Sequence, residues 1–550
     1  MSDIREKLLE ALTRAGAVSC TLEHPSDPTH GDLATNAAFV LAKKEGTAPR
    51  ECAKRLLRNL SLPPEVAQTE IAGAGFINFF LSRDFFSGEI GRIRDAQESW
   101  GRNDIYEGKR VIVEYTDPNP FKELHIGHLV PNAVGESLAR LFMDSGAEVR
   151  RVTFQGDVGL HVAKAIWGMQ KLAQVETASD LGKAYALGAK AYEEGAKEEM
   201  QALNKVIYEK SDPEINALYE KGKALSLQYF EEAYALLGSE FDRYFFESET
   251  GPRGLEIVRA HIGSVFQESD GAVIFPGEKY GLHTRVFVNA EGLPTYEAKD
   301  LGLVEEKHKY FPFDLSVTVT ASEQKEYFKV VLKALEEVLP QYKGKIEVLT
   351  NGMLRLKEGK MSSRTGDVIS ALSLIEEVAK RVSEKAEEGG SDISEEVLYD
   401  IAVGAIKYAI LRSSTEKDIV FDFKQSITFE GDSGPYLQYT YARSRSVLEK
   451  AKDAGVSGSV AVTPEGPYPL ERILYRFPQI VERAVSEREP HHVATFLVEV
   501  AGAFNTFYGV ERIVDPEDRH APYKVLLTEA VAATLKNGLW LLGIRAPERM

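Results

Sequence analysis

An α/β protein of several domains, built on a doubly wound parallel sheet, is the fold class this sequence predicts. Three observations carry the prediction. Residues 111–161 read as strand, loop, helix, strand. Apolar strands keep alternating with helical stretches as far as residue 350, the pattern of a parallel sheet covered by helices. From about residue 370 the periodicity is helical to the end. At 550 residues the chain is too long for one core, so several domains are expected. The pattern divides it into an N-terminal α+β domain (1–105), a central α/β domain (106–425) with a helical insertion at about 171–250, and a C-terminal α-helical bundle (426–550).

In the N-terminal domain, Ile4, Leu8, Leu9 and Leu12 mark one face of a helix over residues 2–15. A second helix is expected over 33–43 and a third from Pro49, a residue suited to a helix's first turn. Residues 71–81, IAGAGFINFFL, read as one strand whose glycines suggest close backbone approach or a bulge.

The centre opens with a strand in which Val111, Val113 and Tyr115 alternate with Ile112 and Glu114. Pro118 and Pro120 end it, because proline lacks the ladder donor. His125-Ile-Gly-His128 follows, then a helix over about 129–145 with Gly146 placed to cap it. A strand over 149–154 leads to Gln155-Gly-Asp157. In such units ligands bind at the carboxyl ends of the strands. The two histidines, three apart, can share one side of the helix's first turn. That end of a helix holds unpaired N–H groups and a partial positive charge, a ready phosphate site. Gly127 between them would let a ligand approach the backbone. With 11 His and 44 Gly in the chain, H-x-G-H is expected about 0.02 times from composition alone.

Two or three long helices are expected over 171–250. A hairpin is expected over 271–289, a helix opening at 295–300, a strand at 314–320 with a helix from about 323, and a strand at 346–350. The helical end includes residues 489–508 as its clearest helix. Its aromatics, among them Tyr436, Tyr439, Tyr441, Phe504, Phe507 and Tyr508, are mostly core at helical spacing, with a minority free to stack on bases.

His125-Ile-Gly-His128 followed far downstream by Lys360-Met-Ser-Ser-Arg364 is the signature pair of class I aminoacyl-tRNA synthetases. GDLATNAAF, AGAGFINFFL, the stretch 111–161 and the closing LLGIRAPERM resemble the arginyl-tRNA synthetase family over almost the entire chain. The resemblance implies a Rossmann-like catalytic core, ATP and L-arginine as substrates with Mg²⁺ on the phosphates, and tRNA(Arg) as partner. It implies catalytic roles for His125, His128, Lys122 and Lys360, and ATP contacts from His125, Gly127, His128, Met353, Lys360 and Ser362. Arginine would be bound by Glu114, Asn119, Tyr296, Asp300 and Gln324. Asp300 would take the guanidinium with Tyr296 packed on it, Glu114 and Asn119 the α-amino end, and Gln324 the remaining polar shell. The N-terminal domain would meet the tRNA elbow and the C-terminal bundle its anticodon.

The chain departs from the pattern at three places. Ser363 stands where the second signature usually has a lysine, and Lys122 is the candidate to supply that charge. Val158 stands where the family usually has tryptophan, and Pro131-Asn132 interrupts the usual polar run. Readings left open are a class I enzyme for another amino acid, a nucleotidylyltransferase, and a catalytically silent RNA-binding relative. Glu114 and Asp300 could also be structural ion-pair partners.

The net charge of −18 lies mostly in the middle of the chain; the nearly neutral ends could each show RNA a basic face. Cys20 and Cys52 are the two cysteines and form no C-x-x-C pair, so neither a zinc site nor a disulfide framework is expected. No signal peptide or run long enough to span a bilayer is read. A cytoplasmic monomer without membrane attachment is the expectation.

Overall fold

The computed structural model describes residues 4–357, 369–388, 390 and 393–550. Lys360, Ser362 and Ser363 therefore lie outside the described residues. The chain gathers into two compact units. One comprises residues 1–100, 444–477 and 502–534, the other residues 101–443, 478–501 and 535–550.

In the first unit, helices Ile4–Arg14, Ala37–Glu45 and Pro49–Asn59 pack with a four-stranded antiparallel sheet. Two expectations change. Residues 33–35 form a strand, and the second helix begins at Ala37. The stretch 71–81 is not one strand but the turn and second arm of a hairpin, Val66–Ala72 with Phe76–Leu81. Gly73 and Gly75 between the arms take positive φ, +53° and +152°, and reverse the chain; of the two roles expected of the glycines, Gly75 has the close backbone approach, since a Cβ there would lie 3.0 Å from the Pro49 carbonyl carbon. Ile4, Leu8, Leu33, Phe79 and Phe86 form the core.

The second unit is built on a five-stranded parallel sheet. Its strands are β1 (Arg110–Glu114), β2 (Glu148–Gln155), β3 (Arg243–Phe246), β4 (Leu315–Ala321) and β5 (Ile346–Asn351), in spatial order β5-β4-β1-β2-β3. The connections are α1 (Leu129–Asp144) and α2 (Leu160–Lys171), then α3 (Pro213–Leu237), α4 (Glu247–Ala260), α5 (Tyr296–Tyr310) and α6 (Lys325–Val338). Strand order reverses at β1, with β2 on one side and β4 on the other, so the crevice at the carboxyl ends of β1 and β4 is the topological switch point. Glu114 stands opposite Thr318 there.

The insertion carries three helices, Ala178–Glu193, Lys197–Glu209 and α3. It ends earlier than expected, because Arg243–Phe246 is sheet strand β3. The stretch 354–356 pairs in parallel with 419–421, a strand within a region read as helical. His491–Val510 is long and apolar enough by composition to cross a bilayer, contrary to the expectation of no such run. Its Val493, Leu497, Val500 and Phe504 are fully buried in the protein, which accounts for that composition.

Candidate active site at the carboxyl ends of the sheet

The loop leaving β1 is bent sharply. Thr116, Asp117 and Phe121 take positive φ, at 76°, 44° and 68°, each costing on the order of 1–3 kcal/mol unless its surroundings enforce it. They do. The Asp117 carboxylate accepts from the Phe154 N–H at 2.7 Å. Buried Asn132 donates to Thr116 Oγ1 at 3.1 Å and accepts from Ser239 at 3.0 Å. The Phe121 N–H donates to Ser226 Oγ on α3 at 2.8 Å. Asn132, one of the departures noted in the sequence, is thus a brace for this loop.

The loop delivers the two histidines to a 3₁₀ turn, Ile126–His128, continuous with α1. Their rings lie against each other, tilted by 37°, with centroids 3.8 Å apart. His125 Nδ1 accepts from the Gly127 N–H at 3.0 Å, and His128 Nδ1 accepts from the His125 N–H at 3.1 Å. A ring nitrogen that accepts carries no proton, so each neutral ring has its proton on Nε2. Burial, then the Lys122 charge, holds the His125 imidazolium below its ordinary pKa. Burial and His125 push His128 down to about 3. At neutral pH the turn therefore presents two uncharged Nε2–H donors. Gly127 is needed for a different reason than expected: a Cβ there would sit 2.7 Å from the His125 ring.

The chain that follows the second signature is fastened to this turn. The Ile126 N–H donates to Ile369 O at 3.1 Å, the Ala371 N–H donates to Leu124 O at 2.8 Å, and His125 bridges Ser370. Upstream, half-buried Met353 donates its N–H to Asp418 at 3.0 Å. Lys122 Nζ lies 4.5 Å from the centroid of the Tyr185 ring.

Glu114 is buried, accepts from Thr318 Oγ1 at 3.0 Å and pairs with buried Lys307 at 2.5 Å. It therefore has the internal ion-pair partner weighed from the sequence. Asp300 has none among the described residues. It accepts from the Tyr327 hydroxyl at 2.5 Å, and burial pushes its carboxyl up to about 7. Glu114 and Asp300 line one small cavity of about 30 Å³. Asn119 lies against Gly156, where a Cβ would be 2.3 Å from its Oδ1 and 3.2 Å from Glu247 Oε1. Tyr296 is 57% exposed at the start of α5. Gln324 is exposed at the end of the 3₁₀ turn following β4.

Five neighbours were not anticipated. Glu247 opens α4 and pairs with Lys299 at 2.6 Å, both side chains 5% exposed. Lys299 Nζ is also 5.1 Å from the Tyr296 ring centroid. Gly254 brings α4 onto α5, since a Cβ there would lie 1.8 Å from Ala298 O. Tyr327 holds Asp300. Asp157 accepts from Tyr219, Lys223 and Ser248 at 2.6–2.9 Å. Burial alone would raise the pKa of Asp157, but these donors outweigh it and hold the carboxylate ionised. Val158, the second departure, lines a cavity of about 380 Å³ with Tyr208, Tyr219, Glu247 and Pro294. Once β3 is seen as a strand, the Phe246–Glu247 junction becomes a third strand end and Glu247 a candidate.

Three family profiles match the chain: "tRNA synthetases class I (R), catalytic domain" over residues 95–423, "DALR anticodon binding domain" over 437–550, and "Arginyl tRNA synthetase N terminal domain" over 2–81. Arginine–tRNA ligase of Clostridium perfringens is 31% identical over 96% of both chains, and that of Treponema denticola 30% over 96% and 94%. Among solved structures, Thermus thermophilus arginyl-tRNA synthetase superposes with a TM-score of 0.80, at 23% identity, over the full length of both chains. Plasmodium falciparum arginyl-tRNA synthetase superposes at 0.80 and 18%, covering 100% and 98%.

Proposed function

We propose, on the premise that the chain belongs to the arginyl-tRNA synthetase family and is an arginine–tRNA ligase, that the crevice between β1 and β4 is where arginine and ATP meet. The observation that supports this most is the pair of neutral Nε2–H donors on the first turn of α1. In the first step the arginine carboxylate attacks the α-phosphorus of ATP, and the bond to pyrophosphate breaks. Charge develops on the leaving oxygens. His125 and His128 donate to them, while Lys122 and Lys360 supply positive charge, so the chain positions and stabilises without forming a covalent bond. Gly127, Met353 and Ser362 complete the nucleotide contacts. The ribose hydroxyl of the tRNA's terminal adenosine, the 2′-OH by class, then attacks the arginyl carbonyl and releases AMP.

Asp300 takes the guanidinium, because a planar cation that never loses its charge satisfies a half-buried carboxyl lacking an ion-pair partner among the described residues. Tyr296 covers it. Asn119 meets the α-amino end, with Glu114 lending negative charge from beneath, and Gln324 closes the polar shell. Mg²⁺ would enter as the counter-ion of ATP and supply positive charge on its phosphates. We place the enzyme in the cytoplasm as a monomer.

Arginine-dependent ATP–pyrophosphate exchange, with and without tRNA(Arg), tests the site. Exchange with arginine and none with lysine is expected. Exchange with lysine would overturn the role given to Asp300.

In the first unit, Phe76 begins the second arm of the hairpin, 48% exposed, with its ring 4.8 Å from Phe39. An exposed ring braced by another is a platform for a base of the tRNA elbow. Phe76→Ala is expected to raise the KM for tRNA about tenfold, the loss of one stacked base, at unchanged kcat. An unchanged KM in aminoacylation assays would remove the platform.

A further inference from the structure

Lys122 carries the charge that Ser363 lacks, yet a lysine has a long flexible stem and loses much rotamer freedom when held in one place. Among the described residues no carboxylate pairs with it. It is seated over the Tyr185 ring, 4.5 Å from the centroid. That ring belongs to the insertion helix Ala178–Glu193, distant in sequence. The helix is fixed on α2 at two close approaches. A Cβ on Gly168 would lie 1.9 Å from Ala184 O, and one on Gly188 would lie 1.9 Å from Lys164 O. These contacts flank Tyr185 on its own helix. One turn earlier, a Cβ on Gly182 would lie 3.9 Å from the Glu123 side chain, so the helix passes over Lys122 and Glu123. Leu181 and Ala184 are buried in the core shared with α2, and Tyr185 packs against it.

The chemistry of the contact suits a phosphate ligand. A carboxylate partner would hold the ammonium but neutralise it. An aromatic face attracts the cation through its quadrupole and occupies none of its three N–H donors. We propose that Tyr185 is a positioning residue for adenylate formation: its ring holds the Lys122 ammonium beside His125 and His128 with the charge and donors left for the nucleotide phosphates. The inference rests on reading Lys122 as the stand-in for the missing signature lysine. It gives the insertion a part in the chemistry, as the rigid arm that carries the ring.

The test is ATP–pyrophosphate exchange by full-length Tyr185→Phe, Tyr185→Leu, Lys122→Met and the Lys122→Met/Tyr185→Leu double variant. Lys122→Met is expected to lower kcat on the order of a hundredfold. Tyr185→Leu should lower kcat/KM for ATP roughly five- to tenfold, the size of a partly desolvated cation–π contact, with the arginine KM unchanged. Tyr185→Phe, which keeps the ring, should stay within about twofold of wild type. The double variant should be no slower than Lys122→Met alone, since there is then no ammonium to hold. If Tyr185→Leu does not fold, Tyr185→Met takes its place. Wild-type exchange by Lys122→Met would overturn the reading of Lys122 and the proposal with it. A slow Lys122→Met with a wild-type Tyr185→Leu, a Phe variant as slow as Leu, or independent losses in the double variant would overturn the positioning role alone.

Discussion

Asp300→Asn is expected to lower kcat/KM for arginine by on the order of a thousandfold in pyrophosphate exchange, with the KM for ATP nearly unchanged, because breaking a charge pair that the bound arginine would bury costs about 3–5 kcal/mol. The amide has the same shape and can still accept from Tyr327, so the fold should survive. It has no charge and turns an NH₂ toward the guanidinium. The pH dependence follows from the same carboxyl. In the empty enzyme burial lifts its pKa to about 7, against an ordinary 3.8. The folded state therefore favours the neutral acid, and the stability this group contributes falls as pH rises from about 4 through 7. Arginine requires the ionised form. Its KM should drop as pH rises across 7, its binding should release a proton below that pH, and the thermal shift it produces should be larger at pH 8 than at pH 6. Asp300→Asn should flatten all three. An arginine KM with the same pH profile in both proteins would show that Asp300 is a structural carboxyl and that the guanidinium binds elsewhere.

The sequence made β1, α1 and β2 legible because each carries its own period: alternation in Val111–Tyr115, apolar residues three and four apart before Gly146, and an apolar run before Gln155. β3 was not, since Arg243-Tyr-Phe-Phe246 has four residues, no alternation and a helix on either side. It is the edge strand of the sheet, and its pairing along β2, a contact distant in sequence, makes it a strand. Losing β3 also hid Glu247 at its end. The signature residues could be placed because a strand end and a helix start are local features. Their partners could not. Lys307 reaches Glu114, and Tyr327 reaches Asp300, only because β1, β4, α5 and α6 meet at the switch point, and strand order is not written in any one segment. Glu114 shows the consequence. Its residue type and strand-end position suited an amine ligand, while the fold had already given it a lysine. The meaning of Gly127 shifted similarly, since only the folded turn reveals that the His125 ring occupies the space beside it.

The second large effect separates two tasks carried by each signature histidine. Nδ1 caps the turn and Nε2–H is the donor left for a ligand, so truncation to alanine would remove both and confuse folding with chemistry. Asparagine divides them. Its Oδ1 sits near the place of Nδ1 and can accept the His125 N–H, while nothing reaches the position of Nε2. His128→Asn is therefore expected to keep its thermal midpoint within a few degrees, because the cap is worth only about 1 kcal/mol and is retained. It should lose about a hundredfold in the kcat of pyrophosphate exchange, the cost of one preorganised donor to developing charge. The KM for ATP should change far less, since the donor acts on charge that grows toward the transition state. His125→Asn should behave alike. The loss should also not vary with pH between 6 and 9, because burial keeps His128 uncharged throughout that range and no imidazolium is being removed. A loss in His128→Asn that deepens as pH falls through 6.5 would mean that the working form is the cation, and would sink the neutral-donor assignment. Equal losses in KM and unchanged kcat would make the pair a ground-state phosphate clamp instead.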